Sequence, residues 1–142
     1  MPTELEWSYL AGIIDGEGCI TISIRSNRKV FSVNHRMLVY NTSRLLVDWI
    51  QARFGGFLRV HIREGLNHKP DGVHEGYGRK TVYRLDWCSV EDIKHILNGI
   101  LPYLTIKREV ASKLFELLDT PNELEEERLE MFNTIKEVQS NG

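Results

Sequence analysis

The chain has 142 residues, of which 42% are hydrophobic and 27% charged, with a formal net charge of −2. This is an ordinary globular composition with enough chain for one domain and its own core. No apolar run is long enough to cross a bilayer as a helix, and at face value the charge argues against a nucleic-acid binder.

Thr3-Glu4-Leu5-Glu6 fits a capping box, which predicts a helix to about Asp15 carrying Leu5, Trp7, Tyr9, Leu10, Ile13 and Ile14. This acidic start does not read as a signal peptide. Gly16-Glu17-Gly18 should break the helix. Cys19 to Arg25 alternates strictly and reads as a strand, Ser26 to Lys29 as a turn, and Val30 to Tyr40 as a second, antiparallel strand. Asn41-Thr42-Ser43 offers caps for a helix from Arg44 to Phe54, ended by Gly55-Gly56. Phe57 to Arg63 is a third strand, Glu64 to Arg79 a long glycine-rich loop, and Lys80 to Cys88 a fourth strand. Ser89 caps a helix to about Leu97, closed by Asn98-Gly99. Leu101-Pro102-Tyr103-Leu104 leads into a helix from about Thr105 to Leu118, and Glu123 to Val138 forms a last, acidic one. The order predicts an α+β fold, with helices on one face of a four-stranded antiparallel sheet. We expect one domain over residues 1–142, with its core at about 3–118 and an acidic helical extension at about 119–142. Cys19 and Cys88 make no metal spacing and no disulfide framework, so an intracellular, reducing compartment is expected.

Charge is partitioned along this order. Residues 21–88 hold twelve basic and five acidic side chains, a formal +7, whereas residues 116–142 hold two basic and eight acidic, a formal −6. Alternation assigns each strand an exposed row: Thr21, Ser23 and Arg25; Ser32, Asn34 and Arg36; Arg59, His61 and Arg63; Val82, Arg84 and Asp86. The opposite rows (Ile20, Ile22, Ile24; Val33, Met37, Val39; Leu58, Val60, Ile62; Tyr83, Leu85, Trp87) should be buried, with His35 on their side as a hydrogen-bonded core histidine. Arginine can fork onto guanine in the major groove while short polar groups read other edges, so the exposed rows form a candidate DNA-binding face. An ordinary solvated sheet face is the competing reading. His68 and His74 are too few for a zinc site, which leaves the loop that holds them as a segment that orders on DNA.

Leu10-Ala11-Gly12-Ile13-Ile14-Asp15-Gly16-Glu17-Gly18 resembles the nine-position signature of the LAGLIDADG homing endonuclease family, at the end of a predicted helix just before a predicted strand. Leu101-Pro102-Tyr103-Leu104-Thr105-Ile106-Lys107 resembles the family's Leu-Pro-aromatic-Leu-x-apolar-Lys segment. The resemblance covers roughly residues 5–118. It implies an αββαββα fold with a saddle-shaped sheet over double-stranded DNA. A single motif copy implies a homodimer with Leu10, Ala11, Gly12 and Ile13 at the interface. It also implies Glu17 and the Gly16 backbone carbonyl as ligands of Mg²⁺ (Mn²⁺ substituting), Lys107 as the basic active-site residue and Asn41 as a solvent-positioning amide. Asn41 is equally a good helix cap. Glu17 stands where Asp is commoner, but it remains a hard oxygen ligand. Asp15 reads as structural, through hydrogen bonds at the helix end.

The activity so implied is a metal-dependent, staggered double-strand break in a long pseudo-palindromic DNA site, made by an enzyme encoded in a mobile intron or intein-like element. The alternatives are a catalytically silent DNA-binding regulator, an intron-RNA splicing maturase of the same fold, or a protein-interaction domain using the exposed sheet.

Overall fold

The computed structural model describes residues 1–27, 30–64 and 79–141. The elements are α1 (Glu4–Glu17), β1 (Gly18–Asn27), β2 (Val30–Asn41), α2 (Arg44–Phe54), β3 (Phe57–Glu64), β4 (Arg79–Trp87), α3 (Val90–Ile100), a 3-10 turn (Leu101–Tyr103), α4 (Arg108–Asp119) and α5 (Glu125–Asn141). The strands form one antiparallel sheet in the order β1-β2-β4-β3. The fold is α+β, as expected. Two hairpin pairs meet along β2 and β4, leaving β1 and β3 as edges. Arg28, Lys29, His68 and His74 lie outside the described residues.

The capping box at α1 is present. Thr3 Oγ1 accepts the Glu6 N–H (3.2 Å), and Glu6 Oε1 accepts the Thr3 N–H (3.0 Å). Glu6 also pairs with Arg53 of α2. Ser43 and Ser89 cap α2 and α3 by accepting the Leu46 and Asp92 N–H groups. The inner rows of β1, β2 and β4 pack against Leu10, Ala11 and Ile14 of α1, Val47, Ile50 and Phe54 of α2, and the apolar stripes of α3, α4 and α5. Trp87 Nε1 donates to the Phe54 carbonyl (3.1 Å), which satisfies the one polar atom of that buried indole.

Four boundaries or faces differ from expectation. First, α1 runs through Gly16 to Glu17, and Gly18 is the residue that leaves the helix. A Cβ at Gly18 would stand 2.8 Å from Ile14 Cα and 2.9 Å from its carbonyl oxygen, so glycine is required there for space. Second, Asn98-Gly99 does not end α3. A Cβ at Gly99 would sit 2.4 Å from ring carbons of Trp7, so the residue that weakens the helix admits an indole packed on Phe54 and His95. Third, α4 starts at Arg108, because the N–H groups of Thr105, Ile106 and Lys107 turn toward the Asp15 carboxylate. Fourth, Ile24, Val60 and Ile62 lie on the inner face, yet Val60 and Ile62 are 54% and 67% exposed and Ile24 is exposed too. The helices pack mainly on β1, β2 and β4, so part of β3 extends past them.

The acidic α5 packs on α4 and buries Phe132 and Ile135 in the same core. Gln139 Nε2 donates to the Ile20 carbonyl on the β1 edge (2.8 Å). His35 lies on the inner face and is half-buried; its Nδ1 has no hydrogen-bond partner among the described residues, so the hydrogen-bonded core histidine expected there is unbonded at that atom. Burial holds its pKa below the ordinary value, with the Arg128 charge pushing the same way.

Candidate functional site

The end of α1 carries two carboxylates with opposite fates. The Asp15 carboxylate accepts three successive backbone N–H groups, from Thr105 (2.8 Å), Ile106 (3.1 Å) and Lys107 (2.9 Å). Burial pushes its pKa up, but those three donors and the Lys107 charge outweigh it and hold the carboxyl below its ordinary value. The Lys107 ammonium donates to the Asp15 main-chain carbonyl (2.8 Å). The last turn of α1 has no basic residue of its own, so Lys107 supplies the cation that the negative end of the helix dipole favours. Asp15 is thus the clasp between α1 and the start of α4, as its structural reading anticipated.

Glu17, two residues later, is exposed, and one bond fixes it: Asn41 Nδ2 donates to Glu17 Oε2 (2.7 Å). Asn41 Oδ1 accepts the Ser43 N–H (2.7 Å), which sets the amide so that its NH₂ faces Glu17. The N-cap of α2 is Ser43, so Asn41 is not the cap the sequence offered; its side chain holds the Ser43 N–H one step before the helix and contacts the Glu17 carboxylate. Glu17 Oε1 has no hydrogen-bond partner among the described residues. A cleft of about 780 Å³ between β1, α4 and the end of α5 is lined by Gly18, Thr21, Lys107 and Gln139, among others, and opens beside Lys107.

Among the described residues, no group of three or more His, Cys, Asp and Glu side chains is placed to hold a metal ion. One exposed carboxylate with neighbouring carbonyl oxygens suits Mg²⁺, which keeps several waters and takes phosphate oxygens rather than a full protein cage.

Strand register places the expected exposed rows on one face. Thr21 lies opposite Arg36, Ser23 opposite Asn34, Arg25 opposite Ser32, and Arg59 opposite Arg84. Arg63 is opposite Lys80, and His61 opposite Val82. The side chains of Arg25 and Arg63 lie outside the described residues. Thr21, Ser23, Ser32 and His61 are exposed, and Asn34 and Arg36 half-buried. Asp86 corrects the sequence reading: it points to this face but is 2% exposed, held by both Arg84 and Arg59. Leu38, Tyr40 and Phe57 share the face and were missed. Their strand parity, even in β2 and odd in β3, is the signal that could have found them.

No family model matches the sequence, and no curated protein matches it. Solved structures do. The homing endonuclease I-CvuI, in a DNA complex with Mg in which the DNA was not cleaved, is 20% identical, with 95% of this chain and 82% of that one covered at a TM-score of 0.72. An archaeal intron-encoded homing endonuclease complexed with DNA is 13% identical, with 95% and 84% covered at 0.69. The homing endonuclease I-TnaI is 17% identical, with 98% and 99% covered at 0.61. The fold is that of the LAGLIDADG homing endonucleases. I-SmaMI, also similar (TM-score 0.63), is longer, and this chain covers 47% of it.

Within this LAGLIDADG fold, the rotation of α1 changes the expected interface row. Leu10 and Ala11 are fully buried in the chain's own core and cannot line an interface. The outward stripe is Leu5 (82% exposed), Tyr9, Gly12 and Gly16, with Ile13 half-buried beside it. A Cβ at Gly12 or Gly16 would meet no atom of the chain within 4 Å.

Proposed function

We propose that this chain is a metal-dependent DNA endonuclease that acts as a homodimer, making a staggered double-strand break in a long pseudo-palindromic site. The observation that carries the reading is the motif carboxylate Glu17, exposed and oriented by Asn41 at the root of β1, the edge strand of a sheet whose outer face is basic and polar. The DNA complexes of structurally similar proteins support it.

Glu17 and the Gly16 carbonyl would hold the divalent cation, Mg²⁺ or Mn²⁺. When bound, the cation activates water and stabilises the leaving 3′-oxygen. The chain's own residues do the rest. Asn41 fixes the Glu17 rotamer, Asp15 fixes the helix end that presents it, and the Lys107 ammonium, parked on the Asp15 carbonyl, lies within the same cluster to meet phosphate charge. Thr21, Ser23, Ser32, Asn34, Arg36, Arg59 and His61 read or neutralise DNA, with Arg25 and Arg63 further along the same strands, while the Arg84 side chain, 14% exposed, is turned onto Asp86. The acidic residues of α5 sit on a helix packed away from that face.

The second active site would come from a second copy of the chain. Leu5, Tyr9 and Ile13 offer the apolar surface for it, and Gly12 and Gly16 allow backbones to approach closely. Incubating the protein with Mg²⁺ and a plasmid library carrying randomised inserts tests the whole reading. Linear product with a palindromic consensus is expected. No cutting in Mg²⁺ or Mn²⁺ overturns the enzymatic reading, and an asymmetric consensus from a monomeric protein overturns the dimer.

A further inference from the structure

We infer that Arg59 is a guanine-reading residue of the sheet, and that Asp86 and Arg84 are its positioning pair rather than base contacts. The inference rests on the DNA-binding reading above and adds the base that one part of the face selects. Two cross-strand rows build the site: Tyr40, Arg84 and Arg59 lie side by side on β2, β4 and β3, and Leu38, Asp86 and Phe57 form the next row.

Two arginines directly opposite each other across antiparallel strands repel. Asp86 resolves that repulsion. Arg84 forks onto it, with Nε 2.6 Å from Oδ1 and Nη2 2.7 Å from Oδ2. This bidentate geometry is the strong form of the ion pair. Asp86 and the Tyr40 side chain on its other flank favour the charged guanidinium, and its pKa is raised. The side chain of Arg84 is 14% exposed, which leaves it little surface for DNA.

Arg59 differs in each respect. Its side chain is 50% exposed, and its Nε lies 3.4 Å from Asp86 Oδ2. Its guanidinium stands 5.1 Å from the centroid of the exposed Phe57 ring. The approach to Asp86 is through Nε, and no hydrogen bond commits Nη1 or Nη2 among the described residues; those two groups are the planar donor fork that matches O6 and N7 of guanine. Asp86 cannot serve as a reader itself. Its oxygens are committed to two arginines, and it is too buried to accept from cytosine N4.

The test is selection of bound sites from a randomised double-stranded DNA library, followed by affinities for the selected site and its single-base-pair variants. The wild-type protein is expected to require G·C at one position of each half-site. Arg59→Lys keeps the charge, loses the planar fork, and leaves the buried Arg84–Asp86 pair in place. It should cut the preference for that guanine by about 5- to 150-fold, with preferences elsewhere unchanged. Asp86→Asn should blur the same position and no other. Unchanged base preferences in Arg59→Lys, or a wild-type consensus without a fixed G·C pair, overturn the inference while the DNA-binding reading stands. A wild-type protein that enriches no DNA overturns that reading, and this inference with it.

Discussion

The two carboxylates at the α1 terminus meet opposite surroundings. On the inner side, Asp15 spends its charge on three backbone N–H groups of the segment before α4. On the outer side, Glu17 is exposed and, among the described residues, bonded only by the Asn41 amide. Both are acids in one motif, two residues apart, yet the helical rotation between them turns one into a clasp and leaves the other available. The clasp ties down the helix end that carries Glu17, whereas a carboxylate on a fraying helix end could not hold one position.

The division is sharpest if each side can be broken alone. Glu17→Gln should have the largest effect on cutting, reducing it to background in Mg²⁺. The amide still offers an oxygen to Asn41, so thermal stability should stay within about 0.5 kcal/mol of wild type. Equal cutting by this variant would remove Glu17 from the mechanism. Asp15→Ala should do the reverse. It removes the acceptor for three N–H groups and costs on the order of 3 kcal/mol of stability by urea unfolding, since hydrogen bonds to charged groups are the stronger kind. If stability is unchanged and cutting alone is lost, Asp15 belongs to the chemical side.

Asn41 joins the two halves, and its predicted effect is smaller. Asn41→Asp keeps the oxygen that accepts the Ser43 N–H but sets a carboxylate against Glu17. Cutting should fall about 10- to 100-fold, the usual cost of losing an outer-shell partner, while the helix content by circular dichroism stays unchanged. A matching loss of helix would assign Asn41 to capping alone.

The motif and its context were legible because sequence encodes them locally. The capping box, a helix-to-strand switch close to Gly18 (though not the exact helix end) and the parity of the strands all follow from neighbours a few residues apart. What was hidden depends on contacts between distant segments. Leu10, Ala11, Ile13 and Ile14 make the helix apolar on several sides, so periodicity could not fix which side met the chain's own core. Asp86 looked exposed because the register of β3 against β4, which brings Arg59 beside Arg84, is not set by either strand alone. Gly99 read as a helix end because nothing near it in sequence reveals Trp7 pressing on it.

The smallest predicted effect separates the clasp from the open site by pH. Asp15 and Glu6 are both held below their ordinary values: burial of Asp15 is outweighed by its N–H donors, and Glu6 is bonded first to the Thr3 backbone and then to Arg53. Each therefore contributes stability that is present above the ordinary carboxylate range and lost as pH falls below about 4, where the unfolded chain takes up protons that the folded chain refuses. His35 follows the same sign at higher pH. Its neutral form is favoured by burial and by Arg128, so its contribution fades as pH falls below about 6.5. Urea unfolding across this range should show two shallow declines. Asp15→Asn should flatten the lower decline and His35→Gln the upper, each leaving the other in place. A lower decline unchanged in Asp15→Asn would mean that the three N–H groups hold that carboxyl no better than water does, and the contrast with Glu17 would then rest on position alone.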